Sequence, residues 1–387
     1  MKKSALLVLL TVFLSLPLAA ENAENLLKFP PAVFAVEENY QIFVTVRSPA
    51  LVRIKVGDRF YSDHINGVRP TQRSVHRFFV PMTELEKAGC YEVFCRSLPQ
   101  RLPYMRQLKV HPEKRSSFTF RKLPDDNIRI YHIGDTHSRI DSPLRSARAA
   151  GKFDLLILNG DIAENAGQPD CLETACLLAG KITNGQIPVI YARGNHELRG
   201  PFAEELIHWT PNANGKSYYR VQLGPLRILV LDAGEDKSDT HPVYAHAVDC
   251  DLFRNEQTGF IRKAGSDKNF MSPGSRYRFV ICHSPFPRYI GRTKADEAKR
   301  HFVVFGQWSQ ELTNLFKPAF ILSAHVHRTF IADSPEFPAP VIVGSFLDKK
   351  NDISTGTRIT LSGGKVIVEF LDPAGRSREL QHLPLKK

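Results

Sequence analysis

Cysteine is sparse in this 387-residue chain, at six residues, and methionine and tryptophan are sparser still, at four and two. So little cysteine over such a length excludes a small disulfide-stapled scaffold and leaves ample chain for a hydrophobic core in two or three domains. Long apolar runs are missing too. The most apolar stretch, 5–18, falls short of the roughly 20 residues that span a bilayer, which excludes a multi-span membrane protein. No concentrated basic run accompanies the surplus of 52 Lys plus Arg over 40 Asp plus Glu, so no stable nucleic-acid partner is expected. There is no internal repeat and no low-complexity tract. With 42% hydrophobic and 24% charged residues, the composition is that of a chain that folds in water.

The N-terminus reads as a processing signal. Lys2 and Lys3 precede the apolar stretch, and small Ala19 and Ala20 come just before the polar stretch 21–25. Charged, apolar, then small is the order of a signal peptide over 1–20, cleaved near Ala20, and it predicts a secreted or periplasmic protein with no membrane span after cleavage. An uncleaved membrane anchor is the alternative. Export permits disulfides, yet the spacing disfavours local pairs. Cys90 and Cys95 are five apart in a strand-like run and face opposite sides. Cys171 and Cys176, if helical, lie about 140° apart around the axis.

Two architectures meet near residue 120. Over 25–115, short segments rich in β-branched and aromatic residues (40–46, 51–61, 75–80, 91–95) alternate with Pro, Gly, Ser and Asn, which predicts a small N-terminal β-sandwich domain, Ig- or fibronectin-like; 82–88 is its one helical signal. Over 122–387, apolar strand runs at 128–133, 155–158, 189–191, 228–231, 279–282 and 320–322 alternate with helix-like stretches at 172–182, 203–209, 256–264 and 305–316. That alternation predicts an α/β domain with a largely parallel sheet.

Five polar motifs each follow one of these apolar runs: Gly134-Asp135-Thr136-His137, Gly160-Asp161, Gly194-Asn195-His196-Glu197, His283, and His325-Val326-His327. Ligands bind at the carboxyl ends of strands in open α/β sheets, so these loops should converge. Asp135 with His137, and His325 with His327, can each grip one ion from an extended segment. Oxygen and imidazole donors without thiolate suit Mn, Fe or Zn in a reactive site more than a structural zinc.

This ordered set, with Arg193-Gly194-Asn195-His196-Glu197 as its most specific block, resembles the calcineurin-like metallophosphoesterase superfamily over roughly 128–345. Gly234-Glu235-Asp236-Lys237 and Phe253-Arg254-Asn255-Glu256-Gln257, with a β domain in front, look like the bacterial branch similar to purple acid phosphatases. The resemblance implies a catalytic fold of two facing sheets flanked by helices, αββα. It implies two metal ions, divalent or mixed-valence: one held by Asp135, His137, Asp161 and His327, the other by Asp161, Asn195, His283 and His325, with Asp161 bridging. His196 is implied as the acid or electrostatic helper. Glu164 stands where relatives have Tyr or Asp, which disfavours a ferric-tyrosinate colour centre and makes Glu164 the candidate to orient His196. Ala324 replaces a usual glycine. Arg199 is a candidate phosphate clamp.

The expected activity is hydrolysis of a phosphomonoester by attack of a metal-bridging hydroxide. A phosphodiesterase acting on nucleotides, glycerophosphodiesters or nucleic acid is the runner-up, and an inactive cell-surface binding module is the reading from another class. Residues 232–276, with His241, Tyr244 and His246, are expected to cap the pocket. The sequence leaves substrate and oligomeric state open.

Overall fold

The computed structural model describes residues 26–106, 110–272, 274–289 and 303–383; the signal-peptide expectation for 1–20 lies outside them. Among the described residues no helix is long and apolar enough to cross a membrane.

Two sheets face each other. The strands Ile128–Ile133, Leu155–Asn159 and Val189–Ala192 pair in parallel at the heart of a nine-stranded sheet. Leu226–Leu231, Tyr277–Cys282, Phe320–Ser323 and Val341–Gly344 run parallel within a six-stranded one. Leu155–Asn159, Val189–Ala192 and Leu226–Leu231 are buried along their whole length, as strands covered on both faces must be. Between the sheets, Ile130, Ile157 and Ile190 of one meet Ile228, Ile281 and Leu322 of the other in one apolar core. The helices Asp141–Ala149 and Cys171–Thr183 cover the outer face of the large sheet, through Ala147, Ala175 and Leu178 on Leu156, Leu158 and Tyr191. Cys250–Ser266 and Val303–Glu311, the latter running into a π-helical turn at Leu312–Phe316, cover the small sheet through Ile261, Trp308 and Phe316. This is the αββα arrangement.

The expected helix over 203–209 is shorter than its apolar spacing suggested. Pro201–Ala203 is a single 3₁₀ turn and Leu206–Trp209 a single α-turn. Thr210 is extended (φ −120°, ψ 157°), as a residue before proline prefers, and Pro211 follows.

The N-terminal region is strand-rich and two-layered. One layer is the antiparallel sheet of Arg59–Tyr61, Ala50–Val56, Cys90–Ser97 and Lys114–Thr119, whose alternate residues Val52, Ile54, Val93 and Cys95 point into the core. The other layer, Ala32–Val36, Asn39–Thr45 and Val75–Pro81, is hydrogen-bonded onto the catalytic sheet, because Ala32–Val36 pairs in parallel with Val189–Ala192. Just beyond it, the Glu37 N–H donates to Arg220 O at 2.8 Å and Glu37 O accepts from the Gln222 N–H at 2.9 Å, which joins this strand to the six-stranded sheet as well. At the opposite edge the large sheet is completed by Thr357–Ser362, Lys365–Leu371 and Ser377–Leu383.

All six cysteines are free. Cys90 is exposed and Cys95, on the same strand, buried; Cys171 and Cys176 enter different apolar clusters.

Candidate metal centre

Each polar motif lies where a parallel strand stops, and stopping there requires unusual backbone. Asp135, His137, Asp161, His325 and His327 all have φ between 47° and 72°. L-residues seldom adopt such angles, and they persist where surrounding contacts enforce them, typically at functional sites. Glycine makes the approach possible. A Cβ on Gly160 would sit 2.5 Å from His283 Nδ1, and one on Gly194 would sit 2.2 Å from Asp161 Oδ1. Ala324, in place of the usual glycine, is accommodated fully buried, its N–H donating to His283 O at 2.9 Å.

The loops bring the seven expected donors together. Donor atoms of Asp135, His137 and His327 lie within 4.8 Å of one another, and so do those of Asp161, His283 and His325. Asp161 Oδ1 accepts the His196 N–H at 2.9 Å, while Oδ2 is 3.2 Å from His283 Nε2 and 4.0 Å from His137 Nε2, so it faces both groups. Asp135 accepts the His325 N–H with both oxygens, at 3.1 and 3.0 Å. Asn195 Oδ1 lies 3.0 Å from His325 Nδ1, which places Asn195 with the second group. His283 Nδ1 donates to Asn159 O at 2.7 Å, fixing the tautomer and leaving Nε2 bare toward the carboxylates.

The donors fit metal ions. His283 Nε2 is buried without a well-directed hydrogen bond, and the Nε2 atoms of His137 and His327, on rings set edge to face, lie 3.1 Å apart, close enough for one cation to take both. The charge balance agrees. Burial pushes the Asp135 carboxyl up to about 7. Burial also opposes charge on His283, but the adjacent Asp161 and Asp135 carboxylates override it and raise this imidazole to about 10. The field that holds a proton on His283 favours a cation among these donors. Burial keeps His137 and His325 neutral, at about 3 and about 4, the form in which imidazole binds metal.

Beside this cluster, two of the candidate residues have partners that the sequence did not indicate. Glu164 does contact His196, but through its main-chain carbonyl, 2.5 Å from His196 Nδ1. Its carboxylate, half exposed, stays within 4.8 Å of His196 and His137 and has its near contacts elsewhere, 3.2 Å from Lys349 Nζ and 3.4 Å from His137 Nδ1. Arg199 is the second. Its Nε and Nη2 are taken by Glu235 at 2.7 and 2.8 Å and its Nη1 meets His196 Nε2 at 3.1 Å, so a forked grip on phosphate would have to displace a buried carboxylate. In the 232–276 region, Tyr244 is buried and donates to Glu235 Oε2 at 2.8 Å, whereas His241 and His246 are exposed and 250–266 belongs to the helix layer.

Sequence reasoning gave Glu197 no role. It is buried, and each carboxylate oxygen accepts two backbone N–H groups: Oε1 those of Ile162 and Ala163, Oε2 those of Asp161 and Gly194. Burial, reinforced by Asp161, pushes its carboxyl up to about 7, against four amides that favour the ionised form. A glutamate ending the Gly-Asn-His turn was the available signal. Glu235 and Asp236 were also missed; Asp236 Oδ2 lies 3.9 Å from His325 Nε2.

The family model for calcineurin-like phosphoesterases matches residues 128–329, which is the span that carries every donor named above. The chain belongs to the calcineurin-like phosphoesterase family. A curated relative from Fibrobacter succinogenes, named "Probable cyclic nucleotide phosphodiesterase", is 30% identical over 112 residues, covering 27% of this chain and 42% of the relative, so the chain spans under half the length of that protein. Purple acid phosphatase from yellow lupin (Lupinus luteus) seeds superposes with a TM-score of 0.55 at 12% identity, over 91% of this chain and 73% of that one, a likeness of fold. A dimetal phosphatase from Danio rerio is 12% identical, with a TM-score of 0.46 over 67% of this chain and 100% of that one.

Proposed function

We propose that the chain is exported and hydrolyses a phosphomonoester at a centre of two metal ions, Mn, Fe or Zn, held by Asp135, His137, Asp161, Asn195, His283, His325 and His327. The observation that carries this reading is the meeting of His137 and His327 Nε2 atoms and the bare His283 Nε2 around two buried carboxylates. Bound there, such ions lower the pKa of water toward neutrality and stabilise charge on a phosphoryl group. The chain's own groups do the rest. Asp161 holds its place through the His196 N–H and turns one oxygen to both donor groups. His196, partly exposed at the rim, has Nδ1 tied to the Glu164 carbonyl and Nε2 accepting from Arg199 Nη1 at 3.1 Å, so it supports charge on the leaving oxygen together with that guanidinium and passes a proton only when Arg199 gives way, a contribution of about 10²- to 10⁴-fold. Arg199, fixed by Glu235, sets positive charge beside that atom.

Two divalent ions against Asp135 and Asp161 leave a positive excess that suits a dianionic monoester. A phosphodiester substrate is the second reading, favoured by the name of the Fibrobacter relative and by the basic balance of the chain. Metal-loaded protein assayed on a panel of mono- and diesters is expected to turn over monoesters and to stop when a chelator is added. Turnover of diesters alone would select the second reading, and no turnover of either would leave a binding module. For export, mass spectrometry of secreted or periplasmic material is expected to give a soluble chain beginning close to Glu21. Membrane-bound protein retaining residues 1–20 would instead identify an anchor.

A further inference from the structure

His137 uses one ring nitrogen toward the donor cluster, and its other nitrogen raises a question of partners. Nε2 faces His327 Nε2 at 3.1 Å and Asp161 Oδ2 at 4.0 Å. Nδ1 is buried and makes no hydrogen bond, although a ring whose Nε2 serves as a ligand must carry its proton on Nδ1. Among the described residues, the acceptor it faces is Glu164 Oε2 at 3.4 Å, an ion-pair contact that is long and not directed as a hydrogen bond. The other oxygen, Oε1, is drawn outward by Lys349 Nζ at 3.2 Å. Glu164 is tethered rather than loose. Its N–H donates to Ser138 Oγ at 2.9 Å, and its carbonyl holds His196 Nδ1. The tether fixes the backbone, and the half-exposed carboxylate lies between a buried imidazole and a surface ammonium, one oxygen toward each.

We propose that Glu164 is a positioning residue for the metal centre: its carboxylate accepts a hydrogen bond from the His137 Nδ1–H, which fixes the tautomer that frees Nε2, and adds negative charge behind one of the two ion sites, with Lys349 competing for the same group. The proposal rests on the dinuclear reading of the site. A carboxylate behind a ligating histidine makes the ring a more basic, better oriented donor, and losing such a partner typically costs 10- to 100-fold in metal affinity. Because the side chain is half exposed and fills no core space, removing it has no packing consequence to confuse the result.

The test is competition of Mn²⁺ and Zn²⁺ against a chromophoric chelator, on the full-length mature chain, with thermal unfolding in excess chelator as the control for fold. Wild type is expected to bind two ions. Glu164→Ala should weaken one of the two binding steps by about 10- to 100-fold with unfolding in chelator unchanged, and Glu164→Gln, which keeps an acceptor but no charge, should fall between. Lys349→Ala, which releases the carboxylate to His137, should bind that ion at least as tightly as wild type. Unchanged affinity in Glu164→Ala, or equal weakening of both steps, would overturn the positioning role while leaving the centre intact. A wild-type chain that binds fewer than two ions would overturn the dinuclear reading instead.

Discussion

Asp161→Ala is expected to lose both metal ions and with them all phosphoesterase turnover above background. One carboxylate oxygen is aimed by the His196 N–H and the other faces His283 and His137, which belong to different donor groups. Removing the side chain therefore takes a ligand from each site, and it takes away the charge that offsets repulsion between two cations at close range. The affinity loss should exceed the roughly 100-fold upper range seen when only an outer partner is removed. Asp161→Asn separates the two contributions, since an amide oxygen still accepts the His196 N–H but carries no charge. It should keep the loop in place and still bind metal poorly. Metal content by elemental analysis decides the matter: two ions per chain and normal turnover in Asp161→Ala would remove the assignment of this residue to both sites.

The second large effect is expected at Glu197. Its carboxylate gathers the N–H groups of Asp161, Ile162, Ala163 and Gly194, which joins the loop after Leu155–Asn159 to the loop after Val189–Ala192. Glu197→Ala leaves four donors in a buried place without an acceptor, and each unsatisfied buried group costs about 1–3 kcal/mol. Even if water reaches two of them, the loss should be at least ~2 kcal/mol, read as a fall in Tm with chelator present. Glu197→Gln is the sharper variant. Its NH₂ must face two N–H donors, at Oε1 or at Oε2, so half the clasp becomes repulsive. A Tm equal to wild type in Glu197→Gln would mean that the clasp contributes nothing to holding the loops together.

The strands of the catalytic fold and the polar loops at their ends were legible because they depend on local pattern, whereas the division of donors between two ions came from the family resemblance. A short apolar run closed by a polar loop announces a buried parallel strand, and all six apolar runs became strands within a residue or two of where the pattern put them, three of them leading into Gly-Asp or Gly-Asn-His. Orientation was not legible. Nothing in the string separates the Glu164 carboxylate from its carbonyl as the partner of His196; that is decided by the turn following Asp161, where φ is 51°. Arg199 looked free because Glu235, which binds it, is thirty-six residues away in sequence. The pairing of Ala32–Val36 with Val189–Ala192 is likewise a contact between distant segments, and a short Pro-preceded apolar run does not specify its neighbour.

That pairing has a bearing on modularity. Val189–Ala192 leads directly into Asn195 and His196, and its far side is closed by Ala32–Val36, which also reaches the opposite sheet through Glu37. The strand-rich N-terminal region is thus no appendage that could be traded for another binding head. Stripped of it, the catalytic sheet would end on the bare strand Val189–Ala192, otherwise buried along its length, with two residues of the candidate site just beyond its tip, an open edge of the kind that recruits other chains. Changes in the front of the molecule and in its reactive loops are therefore tied together by a shared row of backbone hydrogen bonds.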